Sequence, residues 1–276
     1  MHTEPAELLA LADDLVSAIV PKLVAAHDQR DNGGPEISFR SKSNDNDIVT
    51  EMDEWCERTL VDGLLTARPN DGIVGEEGAA VAGTSGVRWV IDPIDGTTNY
   101  LYNLSGYSVS VAAQIDGQTV AAIVADPVRH ETYRAVLGDG ANLNGATITT
   151  SGKASLATTL VGTGFNYEAE LRRQQAIALV ELLPKVRDIR RIGGAALDIC
   201  RVASGRLDAY YEAGLSVWDV AAATLIATEA GATYTDIGGR TDRPGTTAVS
   251  SAAIHDEFLN LLHSCGAAWE RPAESR

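Results

Sequence analysis

From Gly72 to Leu137 the apolar residues of this chain come in short runs that end on acids, glycines or prolines, while on either side they recur at helical spacing. That change of period constrains the fold more than any other feature, because a helix needs an apolar stripe every three to four residues and a strand needs short or alternating runs. Residues 6–27 place Leu8, Leu11, Leu15, Ile19 and Leu23 on one helical face. About Thr50 to Arg68 do the same with Met52, Trp55, Cys56 and Leu60, and the polar residues 28–47 between them read as a loop with a short hairpin around Ile37 to Arg40. Gly72–Val74 and Arg88–Ile91 read as strands that break off into acidic loops. Tyr107–Ile115 and Thr119–Ala125 form a hairpin closed by Asp116-Gly117, and Glu131–Leu137 is a further strand before a Gly-Asp-Gly turn. In the second half, helices are expected over about 168–183, 195–204, 218–230 and 255–264, with Gly205 and Gly231 as stops, and strands near 158–163, 187–191, 207–211 and 232–236. Paired strands mixed with separate helices predict a layered α/β or α+β architecture, not a simple parallel Rossmann sheet.

The formal net charge of −16 argues against direct nucleic-acid binding, which rests on clustered Lys and Arg. It would also repel an anionic substrate unless bound cations reverse the local field. Cys56, Cys200 and Cys265 are odd in number, widely spaced and without a CxxC pair, so neither a disulfide framework nor a zinc ribbon is expected, and a reducing, cytoplasmic setting is. The first residues carry acids and no basic segment before their apolar run, which predicts no secretory leader. No stretch has the length of uninterrupted apolar sequence that a membrane span requires.

The densest chemical signal is Trp89-Val90-Ile91-Asp92-Pro93-Ile94-Asp95-Gly96-Thr97-Thr98-Asn99. Pro93 fixes its own φ and biases Asp92 to an extended shape, so the chain is expected to turn at once. Such a turn can aim Asp92, Asp95 and a main-chain carbonyl at one point, the all-oxygen set that hard divalent cations take. A plain turn has the same composition. Two further acidic segments favour the metal reading: Gly75-Glu76-Glu77-Gly78 after the strand at Gly72–Val74, and Asp219 in the first turn of an apolar helix, where capping is the alternative.

These segments, in order, resemble the inositol monophosphatase family. Its W-x-x-D-P-x-D-G-T-x-N signature is matched by Trp89 to Asn99, and its W-D-x-A-A segment ending in A-G by Trp218 to Gly231. Asp47 to Asp53, Gly140 to Gly145 and Asp208 to Glu212 match further motifs, so the likeness runs over roughly residues 8–264. It implies the layered α-β-α-β-α sugar-phosphatase fold, a single catalytic domain over 1–276 in two closely packed halves (about 1–150 and 151–276), and commonly a homodimer. It also implies Mg²⁺-dependent hydrolysis of a small phosphorylated polyol by activated water, with inositol 1-phosphate the first choice of substrate.

By the same resemblance, Glu76, Asp92 and the Ile94 carbonyl hold a first Mg²⁺, and Asp92, Asp95 and Asp219 a second. A weaker third ion is shared by Glu76 with Glu77 nearby. Thr97, linked to Asp53 or Glu76, orients the water. Gly96 and Thr97 offer N–H groups to the phosphate, while Gly193, Gly194, Ala195, Glu212, Asp95 and Asp219 contact substrate. Gly164-Phe165-Asn166-Tyr167 is expected to wall the pocket. Lys42 has two readings, a lysine near the metal site and a solvated surface residue. Three rivals remain: a phosphatase of histidinol phosphate or another sugar phosphate, a regulatory partner of the transcription machinery, and a cation-binding protein without turnover. The Arg187-Asp188-Ile189-Arg190-Arg191 run, the one basic stretch that would serve RNA, reads equally as a strand with flanking charge.

Overall fold

The computed structural model describes residues 4–31, 37–42, 44–239 and 245–269. In chain order the elements are α1 (Pro5–Asp31), β1 (Phe39–Ser41), β2 (Ile48–Thr50), α2 (Glu51–Ala67), β3 (Gly72–Gly75), β4 (Ala80–Val81), β5 (Val87–Asp95), α3 (Thr97–Leu101), β6 (Ser108–Ile115), β7 (Gln118–Asp126), β8 (Glu131–Val136), β9 (Ala141–Leu143) and β10 (Ala146–Thr147). They continue with β11 (Leu160–Thr163), α4 (Ala169–Leu182), β12 (Asp188–Arg190), α5 (Ala195–Ala203), β13 (Ala209–Ala213), α6 (Val217–Glu229), β14 (Ala232–Ile237), β15 (Thr246–Ser251) and α7 (His255–Ser264).

An eight-stranded sheet runs in the order β10-β9-β8-β7-β6-β5-β3-β4, and a five-stranded sheet in the order β12-β11-β13-β15-β14. On one face of the larger sheet Trp89, Ile91, Val109, Val111 and Ile123 pack with Leu8, Ile19, Leu23, Cys56 and Leu60 of α1 and α2. On its other face Val90, Ala112 and Val124 meet Leu197, Ile199, Ala223 and Ile226 of α5 and α6, and the same cluster reaches Tyr210 and Val249 of the smaller sheet. Val161, Ala209 and Tyr211 then pack outward against Ala178, Leu182, Phe258 and Leu262 of α4 and α7. The layers are therefore α-β-α-β-α, as the resemblance implies. β6 is buried on both faces, with seven of its eight positions away from solvent.

The β6–β7 hairpin turns at Asp116 and Gly117, with φ of 50° and 83°, as the Asp-Gly pair demands. Gly205 and Gly231 follow the ends of α5 and α6 with φ of 71° and 87°, the left-handed shape that stops a helix. Cys56, Cys200 and Cys265 are buried free thiols. Among the described residues no helix is long and apolar enough to cross a membrane.

Four expectations are corrected. The segment 28–31, expected in a loop, completes α1, while 32–36 lie outside the described residues. The short strand near Ile37–Arg40 is Phe39–Ser41, and it pairs with Ile48–Thr50, not with its immediate neighbours. β15 was not anticipated, yet it pairs with both β13 and β14. Finally, the chain does not turn at Asp92-Pro93: β5 continues to Asp95. The ladder pairs Asp92 with Ser110 and Asp95 with Ser108, so one extra residue sits on β5, a β-bulge at the proline that has no N–H to give. Residues three apart on a regular strand face opposite ways. The bulge cancels that, and both aspartates reach the same cavity.

Candidate active site

A pocket of about 300 Å³ opens where β5 ends and α3, α5 and α6 begin. Its wall includes Lys42, Glu76, Asp92, Ile94, Asp95, Gly96, Thr97, Gly193, Ala195, Glu212 and Asp219, which sequence reasoning had assembled from six separate stretches. Phe165, Asn166 and Tyr167 wall it as expected, whereas Gly164 of the same segment does not line it. Asp53, Glu77 and Gly194 stand behind this surface and touch it through their neighbours. Arg191 lines the pocket and was missed as a site residue, because in sequence it belonged to the basic run ending β12.

Asp92 is fully buried, and its Oδ1 has no hydrogen-bond partner. Burial first, then the charges of Glu76, Asp95 and Asp219, push its pKa well above the usual carboxylate range. Asp95 Oδ1 and Oδ2 accept from the N–H groups of Ala195 and Ala196 at 3.0 and 2.8 Å, the first turn of α5. Burial still raises its pKa to about 7 against those two donors. Asp219 accepts from Ser216 N–H at 2.6 Å in a capping box, so the capping alternative holds as well as the pocket position. Its pKa is pushed well up by burial, then by Glu76 and Asp95.

Lys42 is not a solvated surface lysine. Its Nζ lies 2.9 Å from Glu76 Oε1 and 2.5 Å from Glu77 Oε1. Burial works to lower its pKa, but Glu76 and then Glu77 outweigh that and the net shift is upward. Burial raises Glu77 to about 7 despite the lysine. The turn carrying both glutamates is held from below by Glu57, whose carboxylate accepts from Glu77 N–H at 2.8 Å and Ala79 N–H at 2.9 Å. Glu57 was not singled out in the sequence, where it is one acid among many on α2.

Thr97 Oγ1 lies 3.1 Å from both Asp53 Oδ1 and the Ile94 carbonyl oxygen. Asp53 Oδ2 accepts from the N–H and hydroxyl of Thr50 at 2.9 and 2.5 Å, capping α2. Burial raises Asp53 to about 6, with the Thr50 bonds opposing. Across the pocket Glu212 accepts the Tyr210 hydroxyl and stands at about 7, raised by burial and held down by that bond and by Arg191.

No group of three His, Cys, Asp or Glu side chains among the described residues is already gathered tightly enough to hold an ion. The reason is visible: Asp95 is turned to α5, Asp219 to Ser216 and Glu76 to Lys42. The donor set nonetheless fits a hard cation. A buried carboxylate oxygen without a partner carries a desolvation penalty that a bound cation relieves, and Glu76, Asp95 and Asp219 add like charge to that of Asp92.

Comparison with known proteins identifies the family. The profile described as inositol monophosphatase family matches residues 6–267. Inositol-1-monophosphatase SuhB of Mycobacterium tuberculosis is 45% identical over 240 residues, 83% of each chain. The Nus factor SuhB of Escherichia coli is 40% identical over 207 residues, covering 74% of this chain and 78% of that one. The crystal structure of the extragenic suppressor protein SuhB from Bartonella henselae superposes with a TM-score of 0.85 at 29% identity, over 93% of this chain and 98% of the other. With the signature acids in one pocket and the profile matched nearly end to end, this chain belongs to the inositol monophosphatase family.

Proposed function

We propose that the protein is a magnesium-dependent phosphatase of small phosphate monoesters, converting inositol 1-phosphate to inositol and phosphate. The observation that carries this is the buried, unpartnered Oδ1 of Asp92, set among Glu76, Asp95 and Asp219 beside the Thr97–Asp53 pair. Glu76, Asp92 and the Ile94 carbonyl would hold one ion, and Asp92, Asp95 and Asp219 another, an all-oxygen set suited to Mg²⁺. Divalent cations there supply Lewis acidity that offsets phosphoryl charge and brings a water's pKa towards neutrality.

The chain's own groups do the rest. Thr97 accepts the proton of the attacking water as its hydroxyl proton passes to Asp53 Oδ1, a carboxylate whose pKa of about 6 suits it to that exchange. The Gly96–Thr97 main chain faces the phosphate. Glu212 accepts hydroxyl groups of the polyol, and Gly193 and Ala195 wall it; the Ala195 N–H is already given to Asp95. A cytoplasmic homodimer is part of the same reading.

The test is phosphate release from inositol 1-phosphate and histidinol phosphate side by side, with Mg²⁺ titrated. Preference for the first, abolished by EDTA and by Asp92→Asn, supports the reading; preference for histidinol phosphate keeps the metal chemistry and overturns the role of Glu212. One observation favours a second reading, a partner of the transcription machinery: relatives at this distance are named Nus factor. No turnover on either substrate by folded, Mg²⁺-loaded protein would move that reading to the front.

A further inference from the structure

β11 and the residue after it put two glycines on one face. The parallel register sets Gly162 beside Tyr210 and Thr163 beside Tyr211 of β13, and Gly164 and Glu212 come next in that order. Side chains alternate along a strand, so Tyr210 and Glu212 share a face with the two glycines.

Glycine weakens a strand, and neither position needs one for its backbone, since neither has a positive φ. What the two glycines supply is room. A Cβ on Gly162 would stand 3.0 Å from Tyr210 Cδ2 and 2.8 Å from Leu207 Cδ1. A Cβ on Gly164 would stand 2.0 Å from Glu212 Oε2, 2.3 Å from its Oε1 and 2.2 Å from its Cδ. Atoms in ordinary contact are ~3.5–4.0 Å apart, so the carboxylate lies in the space that any side chain at 164 would take. The three nearest atoms all belong to that carboxylate and none to the backbone. Tyr210, whose ring lies over Gly162, gives its hydroxyl to the same carboxylate. Gly162 and Gly164 thus form a slot with Tyr210 and Glu212 laid in it. Gly164 is buried behind Glu212 and off the pocket wall.

We propose that Gly164 determines substrate choice without touching substrate: by having no side chain it seats Glu212, and that seat sets the selection for phosphate esters of polyols over esters without further hydroxyls. The substrate part rests on the phosphatase reading above; the seat does not. With alanine at 164 the carboxylate must move by about 1 Å or more, enough to lose a hydrogen bond to a substrate hydroxyl or to Tyr210.

The test is a cycle of Gly164→Ala and Glu212→Ala, made singly and together, with Glu212→Gln as a control of equal size. Scanning calorimetry reads the seat. Replacing a glycine of ordinary φ by alanine narrows the unfolded ensemble, so Gly164→Ala is expected to raise the melting temperature where Glu212→Ala has emptied the slot. Alone, or combined with Glu212→Gln, the same change should melt lower than that expectation by about 2 °C or more. Equal shifts in all three backgrounds overturn the seat, and so does failure of the Gly164→Ala, Glu212→Ala double variant to fold. Steady-state kinetics reads the selection. Gly164→Ala is expected to raise KM for inositol 1-phosphate about tenfold relative to that for phenyl phosphate, with kcat little changed, and to add nothing to Glu212→Ala. Parallel rises on both substrates, or a further rise in the double variant, overturn the role in selection. Unmodified protein that hydrolyses neither substrate would sink the phosphatase reading and the substrate part with it, while the melting cycle still decides the seat.

Discussion

Thr97 Oγ1 and Asp53 Oδ1 lie 3.1 Å apart although 44 residues separate them in sequence. The contact joins the first residue of α3 to the cap of α2, so one carboxylate both fixes a helix end and receives a hydroxyl at the site. Thr97→Ala removes the proton route and is expected to lower kcat by ~10²-fold or more, while costing only ~1 kcal/mol of stability. Thr97→Ser, which keeps the hydroxyl, should recover most of the rate. Equal losses in both variants would show that the methyl packing, not the hydroxyl, matters.

Asp92 is held at a cost in the absence of cations, being buried with an oxygen that nothing satisfies. Asp92→Asn is therefore expected to raise the melting temperature of EDTA-treated protein at neutral pH. In the same variant the rise that Mg²⁺ gives the unmodified protein should be lost, together with activity. Scanning calorimetry with and without Mg²⁺ reads both. A variant that melts lower in EDTA would mean Asp92 stabilises the fold by a contact the structure does not show.

Stability should also depend on pH in a direction set by the buried acids. Asp53 at about 6 and Glu77, Asp95 and Glu212 at about 7 all bind protons more tightly folded than at their ordinary values of 3.8 to 4.5. Between those limits the folded state holds protons that the unfolded state has released, so stability falls as pH rises. Glu131, held near 2 first by its bond to Arg206, acts oppositely, and its contribution is lost only as pH falls below the unfolded carboxylate value. EDTA-treated protein should thus melt progressively lower as pH rises from about 5 to about 7. Mg²⁺ should flatten that slope by replacing the protons.

Glu57 supports the site without lining it. Both of its oxygens accept main-chain N–H groups of the turn that carries Glu76 and Glu77. Glu57→Ala leaves those donors unsatisfied and should cost ~1–3 kcal/mol, with a higher Mg²⁺ concentration for half-maximal activity. Glu57→Gln keeps one acceptor oxygen and should fall between. Unchanged Mg²⁺ dependence in Glu57→Ala would detach this turn from metal binding.

What the sequence made legible follows from which interactions are local. Helix period, the Asp116-Gly117 turn and the glycine stops at Gly205 and Gly231 are written in adjacent residues, and the structure repeats them. The acids of the pocket were found because the motif keeps them near strand and helix ends. The bulge at Pro93 was misread as a turn because it exists only in the pairing of β5 with β6, a partner outside the local window. β15 was missed for a related reason: Thr246–Ser251 is mostly small and hydroxyl-bearing, and it is a strand because β13 and β14 flank it. Arg191, Glu57 and the Lys42 clamp depend on contacts over tens of residues, which composition and spacing do not carry.

Glu212 separates substrate recognition from the phosphoryl chemistry. Its carboxylate sits across the pocket from Thr97, anchored by the Tyr210 hydroxyl, and belongs to β13 in the smaller sheet, while Asp92 and Asp95 belong to the larger. A group that accepts hydroxyls from a polyol should matter only for substrates that have them. Glu212→Gln is expected to raise KM for inositol 1-phosphate about tenfold, the ~1.4 kcal/mol of one charge-assisted hydrogen bond, with kcat nearly unchanged. Hydrolysis of phenyl phosphate, which has no hydroxyls to offer, should be unaffected by the substitution. Parallel losses on both substrates would instead place Glu212 in support of Asp95 and Asp219, whose pKa values it helps to raise. The ratio of the two KM changes, measured under one Mg²⁺ concentration, decides between recognition and support.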